Sequence, residues 1–358
     1  MVKITGLFFL QLCMILVFIV CRIIVFNCSV LFQDMCTAEC NSSWNESSFD
    51  LLDLDSSALL RMNIGLTLTQ MFVWPFFLIN ILMLFTFYRK QAFRTETRYI
   101  LFAHTLLTDV IFLLLTDLQV ILKYNVVQMP VSFCIPLCIL IEVVNTCTPL
   151  TITAMCVERY VAICMPLRHS AISTTSRTLN LILIIWIMSF IVPFMDVLIL
   201  IVSVPEEYFI EPIFCHYDIM MPEHWHRTMR SILYVIDFFI ILLIEFFCYL
   251  MIMIAARRAS VDKKSAAKGL RTVSLHMIQL ILCTVQSVCP YVEAEIIEID
   301  FTLYLSVRLF NFLTFNIIAR AITPLVYGIR DETFCAAMLH YIKCRQNHIS
   351  SEKKEPNF

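Results

Sequence analysis

Charged residues are clustered along this chain, and the gaps between the clusters predict its elements. Met62–Tyr88 runs 27 residues without Asp, Glu, Lys or Arg, Thr272–Val292 runs 21, and Thr178–Met195 runs 18. A helix of roughly 20 apolar residues crosses the ~30 Å hydrocarbon layer of a bilayer. Four further apolar stretches carry isolated charges: Tyr99–Leu122, Cys134–Val157, Ile232–Ala256 and Tyr304–Ile329. The period-two alternation of a membrane β-barrel is absent from them. The pattern predicts an all-α membrane protein, a seven-transmembrane helix bundle over residues 62–330. Past it, Phe334, Met338, Tyr341 and Ile342 recur at helical spacing. They predict a short amphipathic eighth helix at the inner membrane surface within residues 331–358.

The first 30 residues read less cleanly. Lys3 and the apolar run Ile4–Cys21 resemble a signal peptide, but Arg22 interrupts the pattern and no small-x-small cleavage site follows. A cleaved signal, a retained signal anchor, an extra span and an artefactual start all stay open. Residues 31–61 are expected to form a glycosylated extracellular segment, because the N-x-S sequons at Asn27, Asn41 and Asn45 cluster on this side.

Composition agrees and excludes alternatives. The 358 residues are 60% hydrophobic and 15% charged, with a mean hydropathy of +0.82. A soluble domain is nearer about 45–50% apolar and about 25% charged. The four glycines, Gly6, Gly65, Gly269 and Gly328, lie far apart, so neither a G-x-G-x-x-G turn nor a Walker loop can be written. The net charge of −2 says less than its distribution. Eighteen of the 26 basic residues fall in the loops after the first, third and fifth spans and in the tail. By the positive-inside rule, those loops and the tail are cytosolic and the N-terminal segment is extracellular.

The most specific cluster is Met155-Cys156-Val157-Glu158-Arg159-Tyr160-Val161-Ala162-Ile163-Cys164-Met165-Pro166-Leu167. It sets an acid beside an arginine at the cytosolic mouth of the third span, where each charge must satisfy the other. Such an arginine can be released to another partner, as a two-state switch requires; an interfacial ion pair is the plainer reading. The thirteen residues resemble the M-x-x-D/E-R-Y-V-A-I-C-x-P-L motif of the odorant receptors, within the rhodopsin-like G-protein-coupled receptor superfamily. Lys268–Met277 is similar to that family's K-A-x-x-T-C-x-x-H-L motif, and Thr323-Pro324-Leu325-Val326-Tyr327 to the superfamily's N-P-x-x-Y. Asn80, Asp109 and Trp186 fall on superfamily landmarks of the first, second and fourth helices. Thr323 stands for the usual Asn, Val273 for a Cys and Glu158 for the commoner Asp, a pattern nearer the teleost-type odorant receptors.

The resemblance implies roles. Glu158, Arg159, Tyr160, Pro324 and Tyr327 would form the coupling switch, with Pro324 able to kink its helix. Asn80, Asp109 and Thr323 would form a polar network with room for a sodium ion at Asp109. A carboxyl simply protonated or hydrogen-bonded in the bundle is the alternative. Cys134 and Cys215 would form a disulfide on the oxidising side. The pocket would draw on Glu142 and Asn145, which share a helix face, and on Asp237, Phe238, Gln286, Asn311 and Phe315. A buried carboxylate such as Glu142 or Asp237 would favour a cationic ligand, although each residue could equally make an interhelical hydrogen bond. Cys335 and Cys344 are candidates for palmitoylation.

The expected function is odorant reception at the plasma membrane. A small odorant would bind within the bundle and shift it toward coupling a heterotrimeric G protein of the olfactory, stimulatory type. The basic segment Arg257–Arg271 could contact that protein or membrane lipids. A receptor for an internal amine or peptide is the first alternative. A transporter or channel is the second, and it would require repeats and broken helices that are not seen. No enzyme, cofactor or nucleic-acid partner is expected.

Overall fold

A computed structural model describes residues 50–258, five positions between 278 and 296, residues 301–318, Arg320 and residues 333–340. Five long helices dominate: α1 Asp50–Arg89, α2 Thr97–Tyr124, α3 Val131–Cys164, α4 Thr175–Ser203 and α5 His224–Arg258. Each carries an apolar segment long enough to cross a membrane. The sixth expected span falls mainly outside the described residues. Part of the seventh is present as the helix Phe301–Asn311, which widens into a π-helix over Phe312–Ile318. The helices outrun the apolar stretches that predict them. Thus α4 continues past Met195 to Ser203, and α5 begins eight residues before Ile232.

Prolines set the boundaries. α3 ends at Cys164 because Pro166 pushes Met165 out of helical geometry, to φ −131° and ψ 56°. α4 starts where the Thr174 hydroxyl accepts from the Arg177 backbone N–H, and it stops before Pro205, whose neighbour Val204 is extended. Pro75, Pro136, Pro149 and Pro193 sit inside spans, a position that tertiary packing tolerates in membrane helices. Buried threonines keep their hydroxyls satisfied locally: Thr86, Thr105, Thr116 and Thr151 each donate to the carbonyl four residues back.

α3 is the central post, packed against α2, α4 and α5. α4 and α5 turn most of their Leu, Ile, Val and Phe side chains outward, as helices facing hydrocarbon would. At one end of the bundle the strands β1 Gln128–Pro130 and β2 Pro212–Phe214 pair antiparallel, with Gln128 opposite Phe214. There the Cys134–Cys215 disulfide ties the α4–α5 connection to the start of α3. At the other end residues 333–340 are helical, and Phe334 is buried against the rings of Phe93, Tyr99 and Phe102.

Candidate functional site

Beneath the disulfide, α3, α4 and α5 bring together a buried cluster of acids, a base and phenols. Arg230 on α5 is 2% exposed, and its guanidinium forms an ion pair with Asp196 of α4. The Arg230 Nη2 lies 3.4 Å from Glu142 Oε1 of α3 and donates to the Tyr234 hydroxyl at 2.6 Å. Tyr234 in turn donates to Glu142. Asp196 also accepts from the Tyr217 hydroxyl at 2.7 Å and lies 2.9 Å from His226 Nε2. The guanidinium sits over the rings of Tyr234 and Tyr217, at 4.7 and 5.2 Å, where the ring quadrupoles favour a cation. Burial first, and the Glu142 charge next, push the Tyr217 phenol well above its usual range, so it remains a donor to Asp196. Two carboxylates thus share one guanidinium, with neutral donors completing their shells. Breaking a buried pair of this kind leaves a bare charge and costs about 3–5 kcal/mol.

One turn deeper along the same face of α3 lies a second arginine. Arg320, 1% exposed, donates from Nη1 to Asp109 Oδ1 of α2 at 3.1 Å and to Thr148 Oγ1 of α3 at 2.7 Å. Its Nη2 donates to Asn145 Oδ1 at 2.8 Å, and its carbon sits 3.5 Å from the centre of the Phe112 ring. Asp109 is fully buried. Asn80 is fully buried too, but neither amide atom has a hydrogen-bond partner among the described residues.

At the far end of α3, Glu158 is held on two sides, 3.7 Å from Arg159 Nε and 3.3 Å from His169 Nε2. Tyr160 meets Phe247 of α5 edge-on. Between this end and the Arg230 cluster, α5 buries Glu245 completely, facing the Cys156 thiol.

Membrane-spanning helices around a disulfide-pinned third span, with an acid–arginine–tyrosine run at its other end, define a receptor architecture. Residues 79–327 match the family described as 7 transmembrane receptor (rhodopsin family), over more than two thirds of the chain. The chain belongs to this family. It is therefore a class A G-protein-coupled receptor, a multi-pass plasma-membrane protein and not an enzyme. The receptor is 39% identical to Odorant receptor 131-2 of Danio rerio over 276 residues, which cover 77% of this chain and 85% of that protein. Shorter stretches are similar to the Pyrokinin-1 receptor of Drosophila melanogaster, 36% identical over 107 residues, 29% of this chain and 24% of that protein. Growth hormone secretagogue receptor type 1 of Rattus norvegicus is 37% identical over 116 residues, 31% of each chain.

The receptor distributes the expected site residues unevenly. Glu142 and Asn145 share a helix face, yet Glu142 serves the Arg230 cluster and Asn145 serves Arg320. Asn311 donates to Glu293 Oε1 at 2.9 Å, and Phe315 of the π-helix packs edge-on against Phe310 of the preceding α-helical segment. Four expectations need correction. Asp237 is exposed on α5, with Phe238 beside it half-buried, so it offers no buried carboxylate to a cation. Glu142 is buried, but it shares the Arg230 guanidinium with Asp196, so it is not the unpaired carboxylate that the expectation of a cationic ligand assumed. Cys335 is 8% exposed and so is not presented for acylation. The sodium ion expected at Asp109 meets a guanidinium instead. Gln286, Thr323, Pro324, Tyr327, Cys344, the Lys268–Met277 motif and the sequons at Asn27, Asn41 and Asn45 lie outside the described residues.

Asp196, His226, Arg230, Tyr217, Tyr234 and His169 escaped the sequence reading. A signal for half of them was present. His226, Arg230 and Tyr234 recur every four residues, a polar stripe on one face of an otherwise apolar helix.

Proposed function

We propose that the receptor detects small odorants within the bundle, beneath the Cys134–Cys215 disulfide, and activates a stimulatory G protein of the olfactory type. The observation that carries this reading is the match to Odorant receptor 131-2, which runs through 85% of that protein. The similarities to the two other receptors cover a third or less of their lengths. They favour a second reading, a receptor for an internal peptide, only over that shared stretch. The Arg230 cluster supports a small-molecule site, since it supplies acceptors and donors inside the bundle, where a ligand can compete for them. Asn311 and Phe315, with Gln286 and Phe238, would complete the pocket wall.

The proposed arrangement has seven spans over residues 62–330, the disulfide end and the glycosylated segment 31–61 outside, and the basic loops and tail 331–358 in the cytosol. Residues 1–30 act as a signal or signal anchor. The helix including residues 333–340 lies along the inner membrane surface, and Cys344 is the remaining candidate for palmitoylation. Ligand binding loosens Glu158 from Arg159, and Arg159 then engages the G protein together with Tyr160, Pro324 and Tyr327.

The test is cyclic-AMP production in cells that display the receptor and are exposed to a broad odorant panel. Agonists are expected to raise cyclic AMP, and Arg159→Ala at equal surface level is expected to lose at least about tenfold of that response, the equivalent of 1.4 kcal/mol of coupling. A silent panel, or an Arg159→Ala variant that signals like the parent, refutes the reading.

A further inference from the structure

A carboxylate as deeply buried as Asp109 needs a cation, and the family resemblance assigns that role to sodium. The residues present do not fit the ion. Asp109 Oδ1, Thr148 Oγ1 and Asn145 Oδ1 all accept from the Arg320 guanidinium at 2.7–3.1 Å, which leaves Asp109 Oδ2 and Asn80 Oδ1, of the expected polar network, as the buried oxygens without a hydrogen-bond partner among the described residues. The guanidinium is itself sealed from solvent and lies 3.5 Å from the centre of the Phe112 ring. A monovalent cation at Asp109 would share its carboxylate with a guanidinium held 3.1 Å from the other oxygen, where like charges repel, and any ligand beyond those two oxygens would have to be taken from the arginine's hydrogen bonds.

We infer that Arg320 is a built-in counter-ion that takes the place of sodium at Asp109, and that the receptor is blind to sodium at this site. The planar fork of arginine makes this possible, because two nitrogens reach three acceptors on two helices at once. A mobile ion can leave when helices rearrange, whereas a tethered one cannot. Any movement of the last span away from α2 and α3 must therefore break the arginine's bonds or carry Asp109, Asn145 and Thr148 along.

Full-length receptor purified in detergent is melted in sodium chloride and in N-methyl-D-glucamine chloride at equal ionic strength. The parent is expected to melt at one temperature in both salts. Arg320→Ser, and Arg320→Gln in case the serine variant does not fold, remove the charge and are expected to melt below the parent in the glucamine salt. Arg320→Lys keeps a cation and is expected to stay sodium-blind. A bound ion would raise the melting temperature by roughly 2–4 °C. A parent stabilised to that extent by sodium overturns the inference, and so does a charge-removing variant as stable as the parent. The parent comparison needs no substitution and decides the question even if no variant accumulates.

Discussion

Arg230 and Arg320 are both nearly inaccessible to solvent, and both pair with carboxylates inside the bundle. Their surroundings nevertheless differ in kind. Arg320 faces one carboxylate, two neutral oxygens and a phenyl ring, so its formal charges balance. Arg230 faces two carboxylates and two phenols, with an imidazole on the far side of Asp196. The balanced site is a clamp between helices. The site beneath the disulfide has acceptors in excess of its cation, and a ligand could take a share of them. Under the proposed function, structure and recognition would be divided between two polar centres one turn apart on α3, with Glu142 belonging to one and Asn145 to the other.

That contrast predicts a graded series of effects. The largest is at Arg230→Leu, which strands Glu142 and Asp196 together. The loss is expected at the upper end of about 3–5 kcal/mol, read as little folded receptor by surface staining and a depressed melting temperature. Adding Glu142→Gln and Asp196→Asn to that variant is expected to restore most of the loss, since an uncharged cluster carries no bare ions. Next comes Arg320→Leu, which strands a single carboxylate and should cost about 3 kcal/mol. Combined with Asp109→Asn it should cost less than the sum of the two single changes, as a double-mutant cycle on melting temperatures will show. The smallest is Tyr234→Phe, which deletes one hydroxyl between Arg230 and Glu142 and should cost about 1 kcal/mol. If Arg230→Leu proves as mild as Tyr234→Phe, the excess-acid description of that cluster fails.

Much of this arrangement was legible in the chain. Apolar stretches with few or no charges marked each of the long helices, and the run from Met155 to Leu167 placed Glu158 and Arg159 at the end of α3. The resemblance paired Cys134 with Cys215, and the disulfide is formed. The Arg230 cluster was hidden by the same counting that revealed the spans. A window free of charge must end at a charge, so Asp196 closes the fourth, and Arg230 falls just before the fifth apolar stretch, which begins at Ile232. In the structure both lie inside helices and neutralise each other across α4 and α5. Individual hydropathy cannot express that, because burial is allowed to the pair and not to either member alone. Asp237 misled in the opposite direction. It looked like the buried acid of α5 but faces outward, one residue off the stripe of His226, Arg230 and Tyr234 continued by four. The π-helical turn before Arg320 was equally invisible, since it depends on packing around the last span rather than on any residue preference.

The central claim is that the acid-rich cluster beneath the disulfide reads the ligand. Its most direct test is the concentration dependence of the cyclic-AMP response to several active odorants, measured for the parent and for Glu142→Gln at matched surface levels. The account predicts that Glu142→Gln stays at the surface, because Arg230 keeps Asp196, and that potencies shift unequally among agonists, by about tenfold or more for those that contact the acid, the equivalent of 1.4 kcal/mol. Unchanged potencies for every agonist would contradict it and leave the cluster as structure alone.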